Sequence, residues 1–165
     1  MTTPHEPTRN PLTVQPGGNH YKRLEFQPIE FAMANSLDPC TFSLLRYLTR
    51  IGNEGKGQDT LDLEKCLHYI KLREHFRVPP RPEGLRVPMA RFSSQPGLTA
   101  ESRYLLNLLG SAIIQPSKLH ILRKAIEEAL ATPQPEPKPK PQPKAKAPAK
   151  PAAKPKAKPD ASLND

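Results

Sequence analysis

Proline sets the strongest limit on what this chain can fold into, because it is concentrated in two stretches. Ten of the 22 prolines lie in residues 132–165, and five more lie between Arg77 and Gly97. Proline removes a backbone donor and clashes with the preceding helical turn, so neither stretch can form a long helix. The other segments show the 3.6-residue apolar period and no convincing strand alternation, which predicts an all-α domain of about five helices.

The C-terminal stretch 132–165 has a composition that excludes it from a packed core. It carries eight lysines, three acidic residues and one large apolar side chain, Leu163. Such a segment cannot bury enough apolar surface to offset the entropy of ordering, so it is predicted to be disordered. Its spaced lysines are suited to weak contact with nucleic acid or an acidic protein. A solvated tail without a partner fits the same composition.

The rest of the chain is of a size that suits one domain, which excludes a large multidomain enzyme. No apolar stretch approaches about 20 residues, and the N-terminus lacks the basic and apolar segments of a signal peptide. We therefore expect a soluble, cytoplasmic protein without membrane association. The predicted units are 1–18 (disordered leader), 19–76 (helical core), 77–98 (basic connector), 99–131 (αα-hairpin) and 132–165 (disordered tail).

Three helices are predicted in the core from their first residues and their apolar spacing. Each begins at a residue that commonly caps or opens a helix: Pro28 for the first, Asp38 and Pro39 for the second, and Asp59 or Thr60 for the third. Gly52 ends the second helix, and the third runs to about His75. The predicted buried side chains are Ile29, Ala32, Met33 and Leu37 in the first, Phe42, Leu45, Leu48 and Ile51 in the second, and Leu63, Leu67 and Ile70 in the third.

The connector 77–98 holds four arginines against one acidic residue, Glu83. A structureless loop of this length is uncommon in a compact domain, so the connector is either functional or packed as an extended arm over the helices. Thr99 caps the first helix of the hairpin, and Pro116-Ser117 separates it from the second. The nearly continuous Leu/Ile run at 105–114 is hard to bury in so small a core, which favours a homo-oligomer.

The loop Gly52-Asn53-Glu54-Gly55-Lys56-Gly57 joins two predicted helices. A glycine-rich turn before a helix presents backbone N–H groups to an anion, and Lys56 adds a positive charge. It is not a P-loop, because a helix precedes it and Gly57 follows the lysine where that motif needs Ser or Thr. An anion-binding loop and a flexible helix connection both remain open.

Arg46 and Arg50 lie one turn apart on the predicted second helix, opposite its apolar stripe. Two guanidinium groups at this spacing can grip one phosphate, and the neighbouring Tyr47 can stack on a base. A solvated basic face is the alternative interpretation.

Three acidic residues, Asp59, Asp62 and Glu64, cluster at the start of the predicted third helix. Acidic residues there complement the helix dipole, which requires no further function. They also offer oxygen ligands for a Mg²⁺ ion that bridges nucleotide phosphates, and Glu30 is a candidate to join them.

The segment Asn19-His20-Tyr21-Lys22 places an imidazole, a phenol and an ammonium group together, although a surface histidine without a catalytic role fits as well. The sequence has no Ser/His/Asp arrangement, no His-Glu-x-x-His and no Glu-Glu-x-x-Glu, so nothing supports a protease, another hydrolase or a helical pyrophosphohydrolase. Cys40 and Cys66 lack the spacing of a redox or zinc motif, and we expect buried, reduced thiols.

Four short blocks follow one another within residues 19–76: His20-Tyr21, Ile29-Glu30, Arg46-Tyr47-x-x-Arg50, and Asp62-Leu63-x-Lys65 followed by Tyr69. The order and spacing of these blocks resemble those of the SaV-like phage family. This family was formerly a domain of unknown function, and a phage nucleotide kinase belongs to it. The resemblance covers about a third of the chain. Arg46 replaces a lysine that is usual in the family, and Phe42-Ser43 stands where Gly-Asn is usual.

The resemblance implies phosphoryl transfer from ATP to a deoxynucleoside monophosphate, with Mg²⁺ and without a P-loop, in the cytoplasm of an infected bacterial host. Such transfer depends mostly on positioning and charge neutralisation. The candidate catalytic residues are His20, Glu30 and Asp62, of which Glu30 and Asp62 are also the candidate Mg²⁺ ligands. The candidate substrate and phosphate ligands are Tyr21, Arg46, Tyr47, Arg50, Lys56, Lys65 and Tyr69.

A non-catalytic accessory protein is the competing hypothesis, in which the connector and tail bind nucleic acid or a host protein. The charge distribution weakens the interpretation as a nucleic-acid binder, because the tail carries +5 of the net charge of +9 and the connector most of the rest. The positive charge that remains in the core is local, at Arg46, Arg50, Lys56 and Lys65. It favours a small phosphate-bearing ligand over a duplex.

Overall fold

A computed structural model describes residue 12, residues 21–53 and residues 56–132, with only the helical backbone at 56 and 57. These residues form helices and no strand, which confirms the predicted all-α class. No helix among them is both long and apolar enough to span a membrane. The helices are α1 (Pro28–Ala34), α2 (Pro39–Leu48), α3 (Lys56–His75), α4 (Met89–Ser93), α5 (Ala100–Ile114) and α6 (Leu119–Ala131), with a 3-10 turn at Pro116–Lys118.

Helices α2 and α5 begin where their capping residues predict. Asp38 Oδ1 accepts a hydrogen bond from the Thr41 amide at 2.9 Å, and Pro39 is the first residue of α2. Thr99 Oγ1 accepts from the Ser102 amide at 3.1 Å at the start of α5. Each cap satisfies a backbone donor that has no partner within its helix, so both starts are determined locally.

Helix α3 begins at Lys56, three residues before the predicted cap at Asp59. Asp59 is buried and accepts a hydrogen bond from the Gly52 amide at 3.0 Å. It therefore stabilises the turn before α3 and is not the N-cap of this helix. Gly52 has a φ of +78°, and a Cβ atom there would lie 2.7 Å from Thr99 Cγ2. Only glycine fits this turn, which brings the start of α3 next to the start of α5.

The predicted buried face of α1 is wrong at two positions, because Ile29 and Met33 are 39% and 72% exposed. Phe31 is fully buried instead, with its ring centroid 4.9 Å from that of Phe92 in α4. A helix of seven residues has too few turns for its own apolar period to fix its orientation. The aromatic contact with a distant part of the chain orients it.

The remaining helices share one core, in which α2 packs on α3 and α5, and α6 packs on α3 and α5. The Leu/Ile run of α5 lies inside this core: Leu105, Leu106, Leu109 and Ile113 are at most 2% exposed. The premise for a homo-oligomer, that this run cannot be buried within one chain, is therefore wrong. Oligomerisation itself stays a prediction.

The connector packs over the helices, as one of its two predicted alternatives has it, but it is not extended throughout, because α4 (Met89–Ser93) lies within it. The Asn35 side chain accepts from the Val87 amide at 2.9 Å and donates to the Val87 carbonyl at 3.2 Å. The Arg81 guanidinium donates to the carbonyl oxygens of Asn35 and Ser36, and its amide donates to Ile113 O at 3.1 Å. At least one connector arginine therefore holds the fold together.

Cys40 and Cys66 are free and buried, as predicted. Burial raises the pKa of the Cys66 thiol, and the negative charge of Asp62 raises it further. The neutral thiol is therefore the form that this packing favours.

The opposite positions of Phe31 and Met33 on α1 predict a large difference in stability between two alanine variants. Phe31→Ala removes a fully buried ring and is expected to lower the free energy of unfolding by about 3–5 kcal/mol. Met33→Ala, on the exposed side, is expected to change it by less than about 0.5 kcal/mol. Denaturation by urea, followed by the helical circular dichroism, measures both. Equal losses would contradict the orientation of α1.

Candidate functional site

Six of the sequence-predicted site residues lie together where α2 packs on α3. On α3, Asp62, Lys65 and Tyr69 are three and four residues apart and share one face of the helix. The end of α2 and the residues after it supply the others. We call this group the α2–α3 cluster; it consists of Arg46, Tyr47, Arg50, Asp62, Lys65 and Tyr69.

Asp62 lies at the centre of the cluster and is fully buried. Its Oδ2 is 3.1 Å from Arg50 Nε, and its Oδ1 accepts from Lys65 Nζ at 3.3 Å and from Gln58 Nε2 at 2.7 Å. A buried carboxylate needs such partners, because an unpaired charge in the interior is strongly unfavourable. Asp62 therefore joins α3 to the segment that follows α2.

Arg50 does not lie on a solvated face, which corrects the expectation that it shares an open phosphate grip with Arg46. Its side chain is only 14% exposed and faces Asp62. Among the described residues, neither Arg50 Nε nor Asp62 Oδ2 makes a hydrogen bond, so the contact between them is ionic. The cluster holds one carboxylate against two cations at its centre, and Lys65, which is 36% exposed, is the more accessible of the two.

Aromatic rings form the outer part of the cluster. The rings of Tyr47 and Tyr69 are stacked, with centroids 5.8 Å apart and an interplanar angle of 27°. Lys65 Nζ lies 4.9 Å from the centroid of the Tyr47 ring, and the Arg46 guanidinium lies 5.9 Å from it. Both distances are within the range of a cation–π interaction. Half-buried aromatic faces next to cations are suited to stacking on a base beside a phosphate.

Phe42 also contacts the cluster. Its half-buried ring lies 5.6 Å from the Arg46 guanidinium, so the aromatic side chain fills space beside that cation. Ser43 points back along its own helix, since its hydroxyl donates to Pro39 O at 2.8 Å. Phe42 was missed as a site residue, although its position four residues before Arg46 was a usable signal.

Tyr21 lies beside the cluster, because its hydroxyl donates to the Arg46 carbonyl at 3.3 Å. This bond brings the start of the core to the end of α2. His20 and the side chain of Lys56 lie outside the described residues, as do positions 54 and 55 of the glycine-rich loop. The proposed roles of these residues stay predictions.

Glu30 has a structural role at the start of α1, where its Oε2 accepts from the Gln27 amide at 2.8 Å. Glu64 is exposed, and both oxygens of Asp62 already face donors or cations. Within the part of the chain that the structure describes, no group of three His, Cys, Asp or Glu side chains could hold a metal ion. Glu30 and Asp62 thus have other partners in this structure, and the requirement for Mg²⁺ and ATP stays a prediction.

In comparisons with known proteins, no protein-family model, curated protein or solved structure matches this chain. The resemblance to the SaV-like family therefore depends on the sequence blocks alone and stays a prediction. What the structure adds is the position of those blocks, since the residues of the last two come together in the α2–α3 cluster.

The buried position of Asp62 predicts that it is a main determinant of stability. Asp62→Asn leaves Arg50 and Lys65 without their carboxylate, and we expect the free energy of unfolding to fall by about 3 kcal/mol. Glu64→Gln makes the same chemical change at an exposed neighbouring position and is expected to alter it by less than about 0.5 kcal/mol. Urea denaturation of both variants measures the difference.

A double variant tests whether the instability of Asp62→Asn comes from the uncompensated charges or from lost packing. Replacing both partners in Arg50→Met/Asp62→Leu removes the uncompensated charge, so this protein is expected to be more stable than Asp62→Asn alone. A double variant as unstable as the single one would contradict the role of the ion pair.

Proposed function

We propose that this chain binds a nucleotide on the α2–α3 cluster, with deoxynucleoside monophosphates as the ligand class. The observation that carries the proposal is the stacked pair Tyr47 and Tyr69, with Lys65 and Arg46 beside the Tyr47 ring. Stacking of a base on an aromatic side chain contributes about 1–3 kcal/mol, and adjacent cations can hold the phosphate.

In this proposal the buried carboxylate has a positioning role. Asp62 fixes Lys65 at the rim of the cluster and compensates Arg50, so the ligand meets cations that are already in place. Holding them in advance lowers the entropic cost of binding. Arg46 presents a planar guanidinium that can bind a phosphate through two hydrogen bonds, whereas the ammonium group of Lys65 acts as a compact point charge.

Kinase activity is the further expectation from the resemblance, in which the γ-phosphoryl group of ATP moves to an oxygen of the monophosphate. Phosphoryl transfer requires mainly positioning and charge neutralisation, and the cluster offers both. The candidate catalytic carboxylates Glu30 and Asp62 are engaged in a helix cap and an ion pair, so the contacts support binding more than catalysis.

The competing hypothesis is attachment to nucleic acid or a host protein through the connector and tail. The described residues give no observation that supports it. Arg81 of the connector is turned toward backbone carbonyl groups of the fold, and the tail lies outside the described residues.

Thermal unfolding with a panel of nucleotides tests binding, because a ligand of the native state raises its melting temperature. We expect a deoxynucleoside monophosphate to raise it, and Tyr47→Leu to weaken that affinity about 5–150-fold through lost stacking. Tyr104→Leu is the matched control, since Tyr104 is 57% exposed on α5, outside the cluster. Equal effects of the two variants, or no nucleotide that stabilises the protein, would reject the site.

Turnover is measured separately, as formation of ADP from ATP, with Mg²⁺ and each common deoxynucleoside monophosphate. Arg46→Met is the preferred variant, because Asp62 and Arg50 are needed for stability. Nucleotide binding without turnover would reject the kinase and keep the binding proposal. Turnover that Arg46→Met abolishes, with the helical circular dichroism unchanged, would support both.

A further inference from the structure

A second polar feature lies at the other end of the α2–α3 interface, around a cavity of about 140 Å³. The cavity lies between the start of α2, the end of α3 and the connector. A cavity of about 150 Å³ lined by apolar side chains can bind benzene, so this volume suits one small organic molecule. The lining residues that matter here are Asp38, Thr41, Arg73, Val78, Arg81 and Ile113.

Arg73 is the unusual member of this lining, because it is a charged residue that is only 3% exposed. Its Nε donates to Thr41 Oγ1 at 3.2 Å and its Nη1 to Ala112 O at 3.4 Å, and both acceptors are neutral. Among the described residues, no carboxylate lies within 4.0 Å of its guanidinium group. Arg73 is therefore a buried cation without an ion-pair partner in this part of the chain.

A buried guanidinium requires a counter-charge more than other side chains do. Lysine or histidine can lose its proton when buried, but arginine stays charged at any physiological pH. Burial lowers the pKa of the Arg73 guanidinium and the charge of Asp38 raises it, yet Asp38 already accepts a hydrogen bond as the cap of α2. The unfavourable free energy of burying the Arg73 charge is therefore only partly compensated.

The charges around the cavity sum to a net positive value. Arg73 and Arg81 both line it, against the single carboxylate of Asp38. The other walls include the apolar side chains of Leu37, Val78, Pro79 and Ile113. This combination of one excess positive charge and apolar walls matches a monoanion with an apolar body, and does not match a strongly hydrated dianion.

We propose that this cavity binds a small organic monocarboxylate, with the carboxylate on Arg73 and the apolar part against Val78 and Ile113. A guanidinium group and a carboxylate are complementary in shape and form short, charge-assisted hydrogen bonds. The ligand supplies the negative charge that Arg73 lacks and fills the space beside it.

The site is separate from the α2–α3 cluster. Arg73 follows Asp62 by eleven residues on α3, which places their Cα atoms about 16 Å apart along the helix axis. The proposal therefore does not depend on nucleotide binding, and either can fail without the other.

Calorimetric titration of the full chain with benzoate tests this site, and benzamide serves as the neutral molecule of the same shape. We expect saturable binding of one benzoate per chain and an affinity for benzamide at least about tenfold lower. Acetate and inorganic phosphate are titrated in parallel, and both are expected to bind more weakly than benzoate. Benzamide or phosphate binding as tightly as benzoate, or no saturable binding of benzoate, would overturn the proposal.

Two variants test the role of the cavity residues. Arg73→Met replaces the buried charge with a shorter, unbranched apolar side chain, and should weaken benzoate binding at least about tenfold. Arg91→Met makes the same chemical change at an exposed position in α4 and should leave binding unchanged. An equal loss in both variants would overturn the role of Arg73.

Val78→Phe keeps the proposal testable if Arg73→Met does not fold. The larger side chain should fill the cavity from the connector side and reduce benzoate binding at least about tenfold without altering any charge. Unchanged binding in a folded Val78→Phe protein would show that benzoate binds elsewhere, and would overturn the assignment to this cavity.

Discussion

The buried carboxylate of Asp62 is the interaction on which the α2–α3 pair depends. It compensates Arg50 and Lys65 and accepts from Gln58, so one side chain connects both ends of the turn between the two helices. A charge in this position is unfavourable unless all of its partners are present. Asp62 therefore adds specific partners to the apolar contacts that set the register of α3 against α2.

The register of α3 against α2 also determines which side chains meet at the surface of the α2–α3 cluster. With Lys65 held by Asp62, its ammonium group lies over Tyr47, and Tyr69 stacks on the same ring from the next turn of α3. The aromatic and cationic groups are thus arranged by the fold before any ligand arrives. Such preorganisation is what a small binding surface needs if it is to bind a nucleotide with only a few side chains.

Local signals in the sequence predicted the features that depend on neighbouring residues alone. Asp38 and Thr99 cap their helices because the bonds span only three positions, whereas the orientation of α1 depends on Phe92, which is 61 positions from Phe31 in the chain. The same difference between local and long-range features applies to the candidate site. The sequence named Asp62, Lys65 and Tyr69 together only as one block of the resemblance, although their spacing puts them on one face of α3. The ion pair of Arg50 with Asp62 arises from tertiary packing and fits neither of the two interpretations of Arg50, an open phosphate grip or a solvated face.

Arg50, which is half-buried, and Arg73, which is buried, lie at opposite ends of one helix pair and differ in how their charges are compensated. Thr41 contacts Arg73 near the end of α3 and Arg50 contacts Asp62 near its start, so α2 and α3 run antiparallel. The charge of Arg50 is compensated by Asp62 within the cluster and needs no ligand for this. The charge of Arg73 has only neutral acceptors and a capping aspartate nearby. An anion bound to Arg73 would stabilise the native state by mass action. Its site would lie on α2 and α3, the same two helices that carry the proposed nucleotide-binding surface.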